Sequence, residues 1–232
     1  MTNLRLHGEQ NGAIYDRNER NRKMASIQHS VIASPRIGRL RDFVVAFGNL
    51  LERASGEPAI LREGSRLLQE LVGVDDWLPD RYAQPSMAGY QQYLLHADSR
   101  ERFSVVSFVW GPGQKSPIHD HTVWGIVSIL RGAEIEQSFS RASDGRFMEY
   151  GAPVRLEKGE VTAVSPEIGD FHRVSNALAD RSSISVHVYG ANIGAVRRSM
   201  YEPDGTSKTF ISGYSNTEMP NLWDRSKDES WI

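Results

Sequence analysis

No cysteine occurs anywhere in the chain. Disulfides, thiolate metal ligands and a cysteine nucleophile are thereby excluded together, and any metal must be held by nitrogen and oxygen. No apolar run reaches the roughly eighteen residues of a membrane span, and the opening MTNLRLHGEQNG carries no apolar signal core. The expectation is a cytoplasmic protein with no membrane partner. A basic excess is missing too: 27 Lys and Arg stand against 29 Asp and Glu, for a formal charge of -2. That balance argues against nucleic acid and for a small-molecule partner. No sequence repeat is present, and no obligate protein partner is indicated.

What remains is an ordinary globular composition, 232 residues with 39% hydrophobic and 24% charged content, enough for one sizeable core. Residues 1–30, rich in Asn, Arg, Glu and Gly, read as a disordered leader. Its basic run from Arg17 to Lys23 is broken by Glu19 and reads as a solvated tail. Residues 31–232 read as a single domain with helices over about 34–74, strands over about 88–212 and a C-terminal tail at 213–232. Ser34-Pro35 is a helix start, and Ile37, Leu40, Val44, Phe47 and Leu51 recur at helical steps. A second helix is expected from Pro58 to Val72, with Gly73 as its stop. From Tyr90 onward short alternating runs are separated by Gly, Pro, Asn and Asp, which predicts an all-β sandwich or barrel behind N-terminal helices.

The chemistry is concentrated in Gly113 to Gly132, GQKSPIHDHTVWGIVSILRG. In an extended chain residues two apart project from one face, so His119 and His121 can reach one ion. A third imidazole, His172, arrives in GDFHRVSN. His7, His29 and His96 have no metal-like spacing and read as surface or structural residues. Ser185-Val186-His187-Val188-Tyr189 puts three polar side chains on one strand face and two valines on the other. Such a face needs internal partners, and a Ser-His-Tyr chain supplies its own. No nucleophile elbow accompanies it, which disfavours a serine hydrolase.

Gly113, His119-Asp120-His121 and Gly132 resemble the first motif of the cupin superfamily. Lys158-Gly159 through Pro166, Gly169, His172 and Asn176 resemble the second, with one extra residue between Gly159 and Pro166. The resemblance implies a cupin barrel, a double-stranded β-helix or jelly roll, with its histidines converging on one metal. The glutamate that usually adds a fourth ligand would fall near Gly125 or Ile126, where no carboxylate exists. Three neutral imidazoles leave a divalent ion its full charge and an open face. Three histidines alone do not select Fe(II) over Mn or Ni.

With its N-terminal helices, its lost glutamate and its Ser-x-His-x-Tyr strand, the chain resembles the cysteine dioxygenase family of thiol dioxygenases. This implies one Fe(II) per chain held by His119, His121 and His172, and an outer relay of Ser185, His187 and Tyr189. The cysteine that crosslinks to the relay tyrosine in animal members is absent, so Tyr189 is an unmodified phenol. Where cysteine-oxidising members carry Tyr-x-Arg, this chain reads Tyr90-Gln91-Gln92. Both features are similar to the bacterial 3-mercaptopropionate dioxygenase branch. That likeness implies oxidation of 3-mercaptopropionate by O2 to 3-sulfinopropionate, with an arginine after the relay strand holding the carboxylate. Arg198 matches best, with Gln92 as a neutral helper and Tyr189 touching substrate; spacing does not separate Arg198 from Arg197. L-cysteine oxidised to cysteine sulfinate, and a non-catalytic metal- or ligand-binding cupin, stay open as alternatives.

Overall fold

The computed structural model describes residues 37–216. All of them belong to Pro35–Ile232, the larger of two compact units into which the chain divides. The expected leader at 1–30 and the Ser34-Pro35 helix start lie outside the described residues, as does the tail beyond 216. No described helix is long and apolar enough to cross a membrane.

Among the described residues two helices come first, α1 (Gly38–Arg53) and α2 (Glu57–Val72). The buried stripe of α1 is Leu40, Phe43, Phe47 and Leu50, at steps of three and four. It is rotated slightly from expectation: Ile37 precedes the helix and is 44% exposed. Helix α2 buries Gly64, Leu68, Leu71 and Val72.

Eleven strands follow among the described residues: β1 (Gln91–Ala97), β2 (Ser104–Trp110), β3 (Ile118–His119), β4 (Gly125–Arg131), β5 (Ala133–Arg141), β6 (Phe147–Glu157), β7 (Val161–Val164), β8 (His172–Asn176), β9 (Ser183–Tyr189), β10 (Arg198–Tyr201) and β11 (Ser207–Phe210). They form a five-stranded sheet in the order β1-β2-β9-β4-β7 and a six-stranded sheet in the order β11-β10-β3-β8-β5-β6. All pairings are antiparallel. The expectation of a closed barrel is corrected here. The ladders of the described residues end at β1 and β7 in one sheet and at β11 and β6 in the other, which gives two sheets resembling a cupin-like jelly roll behind N-terminal helices. Alternation reveals most of the strands, but closure depends on long-range pairing that alternation does not encode. Strands β3 and β10 were also not expected, being too short to show a period.

The five-stranded sheet is covered on both faces, and β9 shows how. Ile184, Val186 and Val188 join the helices' Phe47, Leu50 and Leu68 in one apolar cluster. The intervening Ser183, Ser185, His187 and Tyr189 are also buried, on the opposite face. There Tyr189 packs with Val106, Phe108, Trp110 and Val174. The outer edge of β1 is capped by the start of the tail: Ser215 N–H donates to Gln92 O, and Asn216 bonds both backbone groups of Leu94.

Helix α2 approaches β4 closely through Gly64, where an added Cβ would lie 2.7 Å from Ile126 Cδ1 and 2.9 Å from Phe47 Cε2. Gly64→Val should therefore destabilise the fold by about 1–3 kcal/mol through overpacking, read as a lower denaturant midpoint with an unchanged slope.

Candidate metal centre

His119 ends β3 and His172 begins β8, and the two residues are cross-strand partners in the six-stranded sheet. Residues directly opposite on antiparallel strands have neighbouring side chains. His121 lies just past β3, so no ladder fixes it. Asp170 does: its carboxylate accepts the His121 backbone N–H at 3.0 Å, the Thr122 N–H at 2.9 Å and the His121 Nδ1–H at 2.8 Å. Thr122 takes φ +60° at this turn. The three rings then lie 4.7 to 4.8 Å apart by centroid, with one ligand atom from each all within 4.8 Å of one another.

The donor set suits a metal because the other ring nitrogens are occupied. His172 Nδ1–H donates to Glu136 Oε1 at 2.7 Å, and His119 Nδ1–H donates to the Pro117 carbonyl at 3.1 Å. Carbonyl and carboxylate oxygens accept, so each Nδ1 carries the proton and each Nε2 keeps its lone pair for an ion. Burial, reinforced by the neighbouring rings and Arg198, holds His119 and His121 well below the usual imidazole range and keeps them neutral. His119 is deep in the fold yet only half-buried by surface, because its ring opens on an internal cavity. Burial pushes Asp170 up against the pull of its two backbone N–H donors. For Glu136 burial works upward as well, but the bond to His172 and the Thr162 hydroxyl outweigh it and hold the carboxyl low. The three histidines can thus coordinate a single metal ion, with two carboxylates in contact behind them.

The cavity, about 210 Å³, is lined by His119 and His172, by His187 and Tyr189 of β9, and by Gln92 and Arg198. Ser185 Oγ lies 2.8 Å from His187 Nε2, and His187 Nδ1 lies 2.8 Å from Tyr189 Oη. Burial holds His187 neutral and pushes the Tyr189 phenol up. Arg198 is 4% exposed, whereas Arg197 is on the surface. The Arg198 Nη2 donates to Ser212 Oγ at 2.8 Å, its Nε has no partner, and the group stands 4.8 Å over the Phe210 ring. Burial pulls its pKa down from the ordinary value, but a guanidinium does not lose its proton in proteins, so the environment instead favours an anion beside it. Gln92 spends both amide hydrogens on Ser212 Oγ and the Gly213 carbonyl, each at 3.1 Å. It steadies Ser212, and through it Arg198, and has no N–H left for a ligand.

Four contributors were not visible in the sequence. Asp170 sits two residues before His172 in GDFH, the only hint available. Glu136 and Ser212 gave none. Asp120, between the two ligands, accepts the Ser199 N–H at 2.8 Å and the Tyr201 hydroxyl at 2.7 Å, and so ties the histidine turn to β10, which starts with Arg198. His96 packs on Phe103 away from the centre. His7 and His29 lie outside the described residues.

Fold and site together define a cupin-like protein with a three-histidine metal site. The family model described as "Cysteine dioxygenase type I" matches residues 70–200, more than half of the chain. The chain belongs to that family, one of thiol dioxygenase enzymes. It is similar to "Cysteine dioxygenase type 1" of Danio rerio, 23% identical over 156 residues, which is 65% of this chain and 70% of the fish protein. Among solved structures it overlaps a protein with a double-stranded β-helix domain from Klebsiella pneumoniae at TM-score 0.39 and 18% identity, covering 57% of this chain and 87% of that one. A cupin 2 conserved barrel domain protein from Rhodopseudomonas palustris gives 0.38 and 19%, covering 53% and 77%. At these TM-scores the overlaps carry no argument, and the family rests on the match along the sequence.

Removing Asp170 releases both the His121 ring and its turn. Asp170→Ala should weaken metal binding about 10- to 100-fold while secondary structure persists, measured by competition with a chromogenic chelator.

Proposed function

We propose that this protein is a mononuclear non-haem Fe(II) dioxygenase that oxidises a small thiol carboxylate to its sulfinate. The observation that carries the reading is Arg198, a buried guanidinium with no carboxylate partner on the wall of the cavity onto which His119 and His172 open. A cation so placed asks for an anionic ligand, and the space beside it is sized for a small one.

His119, His121 and His172 would hold the ion through their Nε2 atoms. Fe(II), when bound, supplies the electrons that activate dioxygen and the charge that favours the thiolate form of the substrate. The protein contributes placement. Arg198, braced by Ser212, fixes the carboxylate end and so presents the sulfur end to the histidines. Tyr189, held by His187 and Ser185, directs its hydroxyl at the ligand. Phe108, Trp110 and Val174 keep bulk water from the sulfur.

Two substrates compete. The names of the family and of the fish relative speak for L-cysteine, and on that ground it is the better supported of the two. The site's own chemistry favours 3-mercaptopropionate, because among the described residues no acidic side chain lines the cavity to pair with an ammonium group. Iron-loaded protein should consume oxygen only when a thiol carboxylate is added, and kcat/KM for the two thiols decides between them. A clear preference for cysteine would overturn 3-mercaptopropionate. Absence of thiol-dependent uptake by iron-loaded protein would leave a metal- or ligand-binding module, and metal analysis after expression separates Fe from Mn or Ni.

Arg198→Ala should raise KM about 10- to 100-fold, the equivalent of a hydrogen bond to a charged group, whereas Arg197→Ala should leave it unchanged. Tyr189→Phe should keep the metal and lower kcat; loss of metal there would show that the phenol has a different task.

A further inference from the structure

One buried ionisable group takes no part in the mechanism above. Glu134, on β5 of the six-stranded sheet, is 1% exposed, and neither of its carboxyl oxygens has a partner in hydrogen-bonding geometry. Nor has Ser183 Oγ, buried on the facing strand β9. The side chains that act on the Glu134 carboxyl are the hydroxyls of Ser185 and Ser183 and the carboxyl of Glu136, with no cation among them. Its register partners are neutral: Asn176 on β8, whose amide is committed to the Trp110 and Arg181 carbonyls, and Leu156 on β6. Ser185 is also the inner end of the chain that runs through His187 to Tyr189.

A Ser-His-Tyr chain around a neutral imidazole can run in two directions. In one, Ser185 O–H donates to His187 Nε2, the Nδ1–H donates to Tyr189 Oη, and the phenol proton is free to point into the cavity. In the other, the phenol donates to Nδ1, the Nε2–H donates to Ser185, and Tyr189 offers a ligand only lone pairs. Whatever stands behind Ser185 chooses between them. A carboxylic acid donates to Ser185 Oγ and selects the first direction; a carboxylate accepts from it and selects the second. The Trp110 indole N–H, 3.5 Å from Ser185 Oγ, pushes weakly the same way as the acid.

We propose that Glu134 is a positioning residue that sets the direction of the Ser185–His187–Tyr189 chain: a small turn of its side chain brings the acid O–H onto Ser185 Oγ, so that the Tyr189 hydroxyl faces the ligand as a donor. This rests on the reading of the cavity as a substrate site. The protonation it needs agrees with the surroundings: burial, opposed by the two serines and aided by Glu136, pushes the carboxyl up to about 8. Since the folded acid then holds its proton above the usual carboxylate range, the outward direction is present at neutral pH and lost as pH rises through about 8.

The test has two arms. Infrared spectroscopy of metal-free protein at neutral pH should show a protonated carboxyl band that is absent in Glu134→Gln and shifted in Ser185→Ala. The Tyr189 hydroxyl band, identified by its loss in Tyr189→Phe, should shift in Glu134→Leu and stay in Glu134→Gln, whose amide still donates. In the iron-loaded enzyme with its thiol, kcat should fall on the alkaline side with a midpoint near 8, and Glu134→Gln should abolish that limb while keeping neutral kcat within about twofold. Glu134→Leu should lower kcat about tenfold, the worth of one hydrogen bond, without raising KM. A missing carboxyl band, an unmoved tyrosine band in Glu134→Leu, or an alkaline limb that survives in Glu134→Gln would each overturn the proposal. If no thiol supports turnover by the wild-type protein, the dioxygenase reading fails and the infrared arm still decides the direction of the chain.

Discussion

The centre depends on one carboxylate. Asp170 receives three N–H groups from two consecutive residues, His121 and Thr122, and so dictates a turn that the sheet does not supply. Its effect is double: the backbone bonds fix where His121 sits, and the bond to Nδ1 fixes which ring nitrogen is left for a ligand. Asp120 does the complementary work on the other side of the chain, holding Ser199 and Tyr201. These two carboxylates thus link the histidine turn to the loop before β8 and to β10, and His119, His172 and Arg198 share one cavity.

The charges around that cavity are arranged front and back. Behind the imidazoles lie Asp170 and Glu136, each in contact with a ring but outside reach of the ligand atoms. In front lies Arg198, its Nε without a partner. A divalent ion placed among neutral imidazoles faces carboxylates through the rings and a cation across the cavity. On the proposed reading, a small anion beside Arg198 would offset the charge of an ion held by the three histidines, and a neutral ligand of the same size would not. Selection for a charged end group would then belong to the cavity as a whole.

Much of this was legible in the residues, for uneven reasons. The two helices and most strands declared themselves because their apolar periods are long enough to read, and β9 did so twice, since its valines and its Ser-His-Tyr face obey the same alternation. The histidine pair was readable as a pair, but the cause differs from expectation. Strand β3 stops at His119, so the pleat places one ring and Asp170 places the other. Arg198 was the better match, but spacing did not separate it from Arg197; β10 pairs with β3, Met200 opposite His119, which turns one guanidinium inward and leaves the other outside. Glu136, Ser212 and the opening of the sheets into two ladders have no local signature, because each arises from contacts between residues far apart in the chain.

Gly125 pairs with Tyr189 across β4 and β9, and a Cβ there would come within 3.0 Å of the tyrosine ring. The place where a carboxylate ligand would be rooted and the place filled by the phenol are therefore one volume with two possible tenants. A side chain added at position 125 presses on the Tyr189 ring and on Val164, each of which must give by a few tenths of an ångström to admit it. Across related chains, residues 125 and 189 are expected to change in concert, a bulky residue at one with a small residue at the other. On the proposed reading, the choice of ligand set and the choice of proton donor are coupled through this one contact.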